Sequence, residues 1–172
     1  MRELLIVVDM QNDFIDGALG SAEAAAIVSS VTEKVRRFAG EVIFTRDTHT
    51  GDYLNTQEGR KLPVVHCVKG SHGWQICDAL EPYTQDRAIF DKPGFSSFEL
   101  AEYIMAENVK EKIDSITLIG LCTDICVICN AMILKGMFPE ITVSVDAECC
   151  AGITPESHEN ALKAMRMCQI EV

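Results

Sequence analysis

Short apolar segments recur along the chain and predict the strands of a sheet. The first, residues 4–8 (LLIVV), is aliphatic throughout, and an unbroken run of this kind is typical of a strand covered on both faces. The other segments are residues 42–45, 88–90, 116–119 and 141–145. The tail at 169–172 is expected to add a last edge strand.

Between these segments, apolar residues recur at helical spacing. The pattern predicts helices at 22–38, 98–108, 125–134 and 155–167, with a short helix near 76–80. Strands that alternate with helices form βαβ units, so the sheet is expected to be mainly parallel. The long irregular stretch 47–86 is expected to be functional, because it is rich in His, Asp, Glu, Trp and Tyr.

The segment 115–135 carries the strongest chemical signal. A strand, a tight turn and a helix are predicted to follow one another here, and Thr123 or Asp124 is expected to cap the helix. This places Cys126 in the first helical turn, where the positive end of the helix dipole favours a thiolate over a thiol. Cys126 is therefore a candidate nucleophile.

Two other interpretations of Cys126 stay open at this point. Cysteine is among the most buried residue types, so the side chain is also suited to packing. Cys122, Cys126 and Cys129 have the C-x3-C-x2-C spacing of a radical iron–sulfur loop. That motif needs three thiols on a flexible loop, whereas the last two are predicted on a helix here.

Chemically useful residues stand at the ends of four successive predicted strands. Asp9, Asp47 and Lys92 come at or just beyond the ends of the first three, and the turn 122–126 follows the fourth. The carboxyl ends of parallel strands share one edge of a sheet, which is where ligands bind in such folds. This convergence favours the nucleophile interpretation of Cys126 over packing.

Composition narrows the class of partners. The 172 residues carry a formal net charge of −11, and an acidic surface repels nucleic acids and anionic membranes. No apolar run approaches the length of a membrane span, and Met1 leads directly into a strand, so no signal peptide is expected. The eight cysteines are therefore expected to be reduced thiols of a cytoplasmic protein that forms one domain over residues 1–172.

Several motifs together resemble the isochorismatase-like superfamily of cysteine hydrolases, most nearly its nicotinamidase branch. They are VVDMQNDF at the end of the first strand, the pair Asp47 and His49, the segment HCVKGS, Lys92, and GLCTDICV. These motifs span nearly the whole chain in order. The resemblance implies a single three-layer α/β domain, with a six-stranded, mainly parallel sheet and helices on both faces.

The resemblance also implies a catalytic triad of Cys126, Asp9 and Lys92. Asp9 would accept and return protons, while Lys92 would keep Asp9 ionised and lower the pKa of the thiol. The backbone N–H groups of Cys122 and Cys126 would form the oxyanion hole. The peptide bond between Leu121 and Cys122 is cis in this family.

Two side chains are predicted to contact the substrate. Phe14 belongs to the first motif and is expected to stack on a flat ring, and Leu121 opens the turn that carries the thiol. Trp74 is a further aromatic candidate for stacking on the substrate ring, and the alternative is that it packs in the core. His72 and His158 are expected on the surface.

The irregular stretch is predicted to hold a divalent metal ion. In the nicotinamidase branch an Asp, a His and a later His bind the metal, which points to Asp47, His49 and His66. Glu58 is the predicted additional ligand, with Asp52 as its alternative. Two imidazoles with carboxylates suit Zn, with Fe or Mn as alternatives, and leave positions open for water or substrate.

The leading hypothesis is a cysteine amidohydrolase that converts nicotinamide and water to nicotinate and ammonia through a thioester. The alternatives in related chemistry are another small amide or carbamoyl substrate and an isochorismatase-type vinyl ether. A non-catalytic protein that binds metals or thiols is the alternative from a different class. We expect a homo-oligomer that binds a small-molecule amide and neither nucleic acid nor a membrane.

Overall fold

A parallel sheet of five strands forms the centre of the protein. The computed structural model describes all 172 residues. The strands are β1 (Glu3–Val8), β2 (Glu41–Asp47), β3 (Ile89–Lys92), β4 (Ser115–Leu121) and β5 (Thr142–Ala151). They lie in the order β3-β2-β1-β4-β5, and every neighbouring pair is parallel. The parallel sheet predicted from the sequence is confirmed.

The prediction of a sixth strand at 169–172 is wrong. Only Glu171 pairs with the sheet, where its N–H donates to Val143 O and its carbonyl accepts from Val145 N–H. The backbone of Gln169 is left-handed, with φ at 63°, and this turn separates the tail from the preceding helix. Pairing with β5 is therefore confined to a single bridge beyond that turn.

Helices cover both faces of the sheet. They are α1 (Asn12–Ile15), α2 (Ala22–Arg37), α3 (Gln57–Lys61), α4 (Phe98–Lys110), α5 (Ile128–Met137) and α6 (Pro155–Met167). The buried apolar residues of α2 belong to the hydrophobic cluster on one face of the sheet, and those of α4, α5 and α6 belong to the cluster on the other face. No helix is both long enough and apolar enough to cross a lipid bilayer.

The side chains of β1 are divided between these two clusters. Leu5 and Val7 pack with α2, while Leu4, Ile6 and Val8 pack with the helices on the opposite face. Each of these residues is at most 1% exposed. Full burial of one such aliphatic side chain stabilises a fold by about 1.5–3 kcal/mol. The unbroken apolar run therefore indicates a central strand correctly.

The prediction of a short helix near 76–80 is wrong. Ile76 forms an antiparallel bridge with Gln11, and the N–H of Cys77 donates to Met10 O. The backbone here pairs with the segment that follows β1, so its hydrogen bonds are not available for a helix. The irregular connection instead contains α3 and two short 3₁₀ turns, Tyr53–Asn55 and Glu81–Tyr83.

Gly120 allows β4 to lie close against β1 near the carboxyl edge of the sheet. Its φ is 112°, and a Cβ at this position would lie 2.2 Å from Val8 O, so only glycine fits. The pairing of β4 with β5 shifts register at this point and continues with Gly120 opposite Cys150. The strand β5 therefore continues to Ala151, beyond the segment 141–145 that the sequence predicted.

Candidate active site

The carboxyl edge of the sheet brings together three buried charged side chains. Asp9 follows β1 directly, and Asp47 and Lys92 are the last residues of β2 and β3. All three are buried, Lys92 to the point of being only 1% exposed. The neighbouring strands β1 and β4 are distant in sequence, so the strand order reverses between them. Ligands of doubly wound sheets bind at such a point.

Lys92 joins the residues of the predicted triad. Its Nζ lies 2.6 Å from Asp9 Oδ2 and 3.3 Å from Cys126 Sγ. The same ammonium donates to Gly94 O at 3.0 Å, which holds it against the loop after β3. The structure therefore brings Cys126, Asp9 and Lys92 into direct contact. Proton transfer between the thiol and a carboxylate needs this proximity.

The two oxygens of Asp9 have different partners. Oδ1 accepts a hydrogen bond of 2.7 Å from the Thr45 hydroxyl. Oδ2 accepts no hydrogen bond of normal angle and is the oxygen paired with the Lys92 ammonium. Burial raises the pKa of Asp9, while the charge of Lys92 opposes that rise. Oδ2 is therefore the oxygen available to take up a proton.

The expectation of a thiolate at Cys126 is wrong for the resting protein. Burial raises the pKa of Cys126 well above its ordinary value of 9.0, and the charge of Asp9 raises it further. The charge of Lys92 lowers this pKa, as the resemblance implies, but burial outweighs it. Cys126 therefore rests as a thiol, and a base must remove its proton before it can attack.

A π turn, Thr123–Val127, carries the thiol into α5. The carbonyl of Cys122 accepts from the N–H groups of both Ile125 and Val127, and the peptide bond between Leu121 and Cys122 is cis. The oxyanion-hole roles of the Cys122 and Cys126 N–H groups stay predictions.

The prediction that Thr123 or Asp124 caps the helix is wrong. The Thr123 hydroxyl is hydrogen-bonded to His158 Nδ1 at 2.8 Å, and the Asp124 carboxylate accepts from Ile153 N–H. The Thr123 side chain thus points to α6 and the Asp124 side chain to the connection between β5 and α6, and neither points to the start of its own helix. They fasten the turn that carries Cys126 to the neighbouring segment. His158 is half-buried and therefore keeps part of the surface position that was expected for it.

A second cluster of ligand atoms lies beside the triad. Asp47, His49, Glu58 and His66 each offer one atom, and these four atoms lie within 4.8 Å of one another. Asp47 Oδ2 lies 3.0 Å from His49 Nε2 and 3.4 Å from His66 Nε2, and Glu58 Oε1 lies 3.8 Å from His49 Nε2. The alternative ligand Asp52 lies outside this group and contacts Asn55.

The four ligand atoms fit a borderline divalent metal. Two imidazole nitrogens and two carboxylate oxygens are the donors that Zn, Fe and Mn accept. His66 Nδ1 is hydrogen-bonded to Val64 O at 2.7 Å, which leaves Nε2 as the atom directed into the cluster. Burial opposes the charge of Asp47, but hydrogen bonds from His49 and His66 hold its pKa well below the usual range.

Three residues that support the site were not identified from the sequence. Thr45 contacts Asp9, and the buried ring of Tyr53 packs against His49 and His66 at centroid distances of 4.6 and 4.9 Å. Gln11 is the third. A polar residue at the end of an apolar strand was a usable signal for Thr45, whereas nothing in the local pattern indicates Tyr53.

The side chain of Gln11 holds the backbone of Asp47 in place. Its Oε1 accepts from Asp47 N–H at 2.7 Å, and its Nε2 donates to Asp47 O and to Trp74 O, each at 2.8 Å. Because β1 ends at Val8, the side chain of Gln11 supplies the hydrogen bonds that a longer strand would have given to this end of β2. Its position in the motif VVDMQNDF was the available signal.

The predicted substrate contacts differ in their surroundings. Phe14 is half-buried, with its ring centroid 5.7 Å from that of His66, so it borders the metal-ligand cluster. The side chain of Leu121 is 1% exposed and packs in the core with α2, which leaves only its backbone for a substrate. Trp74 stacks under the guanidinium of Arg46 at 3.7 Å, so one face of its ring is already covered.

The thiols of Cys122, Cys126 and Cys129 do not converge as metal ligands. The group Asp47, His49, Glu58 and His66 is where His, Cys, Asp and Glu ligand atoms meet in this protein. Cys126 instead contacts an ammonium, and all eight cysteines are free thiols. The arrangement therefore supports the nucleophile interpretation over an iron–sulfur loop.

Comparison with known proteins agrees with this site. The Isochorismatase domain family matches residues 3–172. The nicotinamidase of Schizosaccharomyces pombe is 28% identical over 98% of this chain and 91% of its own. The zinc complex of the pyrazinamidase of Pyrococcus horikoshii has a TM-score of 0.83 and 29% identity, covering 99% of this chain and 98% of that one. The N-carbamoylsarcosine amidase of Thermoplasma acidophilum has a TM-score of 0.77 and 28% identity, covering 100% of this chain and 95% of that one.

The fold and the site together define an α/β protein with a thiol, an ammonium and a carboxylate at the carboxyl edge of a parallel sheet. The chain belongs to the Isochorismatase domain family, because the match spans nearly its whole length. The family resemblance identified from the motifs is confirmed.

Proposed function

We propose that this protein is a nicotinamidase, which hydrolyses nicotinamide to nicotinate and ammonia. The observation that carries the proposal is the position of Lys92, whose ammonium contacts Cys126, Asp9 and the metal ligand Asp47 at once. A nucleophile and a ring-binding cluster therefore lie side by side. The nicotinamidase and pyrazinamidase relatives support the same substrate class. The nicotinate so formed would enter NAD salvage.

Proton transfer begins the proposed reaction. Oδ2 of Asp9 takes the proton of the Cys126 thiol, and the sulfur forms a bond to the carboxamide carbon. The carbonyl π electrons move to oxygen, where the N–H groups of Cys122 and Cys126 would receive the negative charge. Lys92 stabilises the thiolate during its formation because its ammonium lies 3.3 Å from the sulfur.

Asp9 then completes the reaction in two further steps. It gives its proton to the amide nitrogen, the C–N bond breaks, ammonia leaves and a thioester remains on Cys126. Asp9 next takes a proton from water, the hydroxyl adds to the thioester carbon, and the C–S bond breaks. The sulfur recovers the proton from Asp9, and the acid is released. Atoms and charges balance over the cycle, and Asp9 ends ionised.

Asp47, His49, Glu58 and His66 are the residues that would hold a divalent metal, with Zn favoured and Fe or Mn as alternatives. Such an ion would supply a Lewis-acid position suited to a pyridine nitrogen. The residues around the ion would complete the positioning of the substrate ring. Phe14 is proposed to stack on the ring, and Asp47 spans the cluster and the triad through its two oxygens.

A second candidate is hydrolysis of a carbamoyl compound. The structural likeness to the N-carbamoylsarcosine amidase favours it, because its TM-score is 0.77 over the whole chain. The same thiol attack would apply to a carbamoyl carbon. What separates the candidates is the use of the metal-ligand cluster, since a carbamoyl group has no ring nitrogen to bind there.

An ammonia-release screen tests both candidates. We would compare nicotinamide, pyrazinamide, benzamide and N-carbamoylsarcosine on the zinc-loaded protein, with Cys126→Ala as the background. The proposal expects the highest kcat/KM with nicotinamide and pyrazinamide. A clear preference for the carbamoyl compound would support the second candidate, and no ammonia from any amide would contradict both.

A further inference from the structure

Asn130, the third residue of α5, is a buried amide that belongs neither to the triad nor to the metal-ligand cluster. It is 2% exposed. Its Nδ2 donates to Cys126 O at 2.7 Å and to Phe95 O at 3.1 Å, and its Oδ1 accepts from Ser97 N–H at 2.9 Å. The reverse orientation of the amide would set its NH₂ against another N–H, so these partners fix its orientation.

These bonds close a ring of contacts around the nucleophile. The loop 93–97 follows Lys92 directly, and its Gly94 carbonyl accepts from Lys92 Nζ at 3.0 Å. Lys92 Nζ in turn lies 3.3 Å from Cys126 Sγ. The backbone of Cys126 therefore reaches this loop through Asn130, and its sulfur reaches the same loop through Lys92.

Packing alone does not account for an asparagine at this position. Asparagine is a weak helix former, and its neighbours in α5, Ala131 and Leu134, are buried apolar residues. A buried amide that lost its hydrogen-bond partners would destabilise the fold, whereas an apolar side chain would avoid that risk. The π turn that precedes α5 is also an uncommon backbone form, and Asn130 Nδ2 donates to the carbonyl of its fourth residue, Cys126.

We infer that Asn130 is a positioning residue that holds the Cys126 thiol in register with the Lys92 ammonium by tying their two segments together. The inference rests on the proposed function, since its main readout is amide hydrolysis. Asn130 touches no reacting atom. Its loss acts through the distance between sulfur and ammonium, so it changes the chemical step more than the binding of substrate.

The test compares Asn130→Ala with Asn108→Ala on zinc-loaded protein. Asn108 is a matched control because its side chain also accepts a backbone N–H, that of Ile113 at 2.8 Å, at the opposite end of α4 from Ser97. We expect Asn130→Ala to lower kcat for nicotinamide by about 10²-fold, because a displacement of a reacting group by about 1 Å can cost that much in rate, with KM nearly unchanged. Asn108→Ala should keep the wild-type kcat. Thermal melts of both variants measure any general loss of stability.

A second variant covers the case in which Asn130→Ala does not fold. Asn130→Asp keeps the size and the acceptor for Ser97 N–H but loses both donors, and it should show the same fall in kcat. Equal kcat values for the Asn130 variants and Asn108→Ala would overturn the inference. If the wild type hydrolyses no amide, the proposed function fails and the rate of Cys126 alkylation by iodoacetamide decides instead. Slower alkylation only in the Asn130 variants supports the inference, and an unchanged or faster rate overturns it.

Discussion

The Nζ of Lys92 lies 3.6 Å from Oδ1 of Asp47, so the ammonium of the triad also reaches the metal-ligand cluster. The other oxygen of Asp47, Oδ2, faces His49 and His66. Burial disfavours the charge of Lys92, but the neighbouring negative charges of Asp9 and Asp47 outweigh it and keep the pKa of Lys92 above its usual value. One carboxylate and one ammonium thus connect the place where a ring would bind to the place where a bond would break.

The first prediction concerns the nucleophile. Cys126→Ala should abolish ammonia release while the protein stays folded, because the sulfur forms the covalent bond and its removal leaves only a small gap. Cys129→Ala, one helical turn further along, is the matched control and should retain most activity. Activity assays and circular dichroism melts measure both effects. Similar losses of activity in the two variants would point to a packing role for Cys126.

The second prediction concerns the proton carrier. Asp9→Asn cannot accept or return a proton, so kcat should fall by about 10²–10⁴-fold. Asp146→Asn is the control, because Asp146 is also paired with a lysine, Lys34 at 2.8 Å, but lies outside the site. That variant should have the wild-type kcat. A loss of less than tenfold in Asp9→Asn would mean that another group moves the proton.

The third prediction concerns the pH dependence of the thiol. Burial raises the pKa of Cys126 above 9.0, so its alkylation by iodoacetamide should be slow at neutral pH and accelerate as the pH rises beyond 9.0. The positive charge of Lys92 lowers this pKa. In Lys92→Met the rate should therefore fall at each pH, and the acceleration should move to higher pH.

Peptide mass spectrometry distinguishes Cys126 from the other seven thiols during these reactions. Lys69→Met is the control, because Lys69 pairs with Asp91 on the surface and does not contact the thiol. It should leave the pH profile of Cys126 unchanged. Identical profiles for wild type and Lys92→Met would show that Lys92 does not tune the thiol.

The fourth prediction separates nicotinamide from other amides by its ring nitrogen. His49→Ala should lower the bound metal content and reduce nicotinamide turnover by about 10²-fold, because the ring loses its positioning ligand. Benzamide lacks the ring nitrogen and should be a poor substrate even for the intact protein. His72→Ala is the control, because His72 is exposed and outside the cluster. Equal rates for the two amides, insensitive to chelation, would contradict the nicotinamidase proposal.

The parallel sheet and the edge that carries the site were both predictable from the sequence. The run LLIVV indicates a strand buried on both faces by its lack of polar positions, and Asp9 marks its end by its charge. Asp47 and Lys92 follow the same local rule, and a parallel sheet gathers such ends at one edge. The family resemblance then pointed to Asp47, His49 and His66 as metal ligands, and Glu58 was the nearby carboxylate predicted to join them.

Only the tertiary structure decided how these groups behave together. The sequence placed Cys126 at a helix start, which favours a thiolate, but the surrounding core raises its pKa, and burial depends on the whole fold. The same is true of Gln11 with Asp47 and of Asn130 with Phe95, because each pair joins residues more than 30 positions apart. Local patterns reveal which side chains must be buried or exposed. The partners of a buried polar atom depend on which distant segments the fold brings within hydrogen-bond distance.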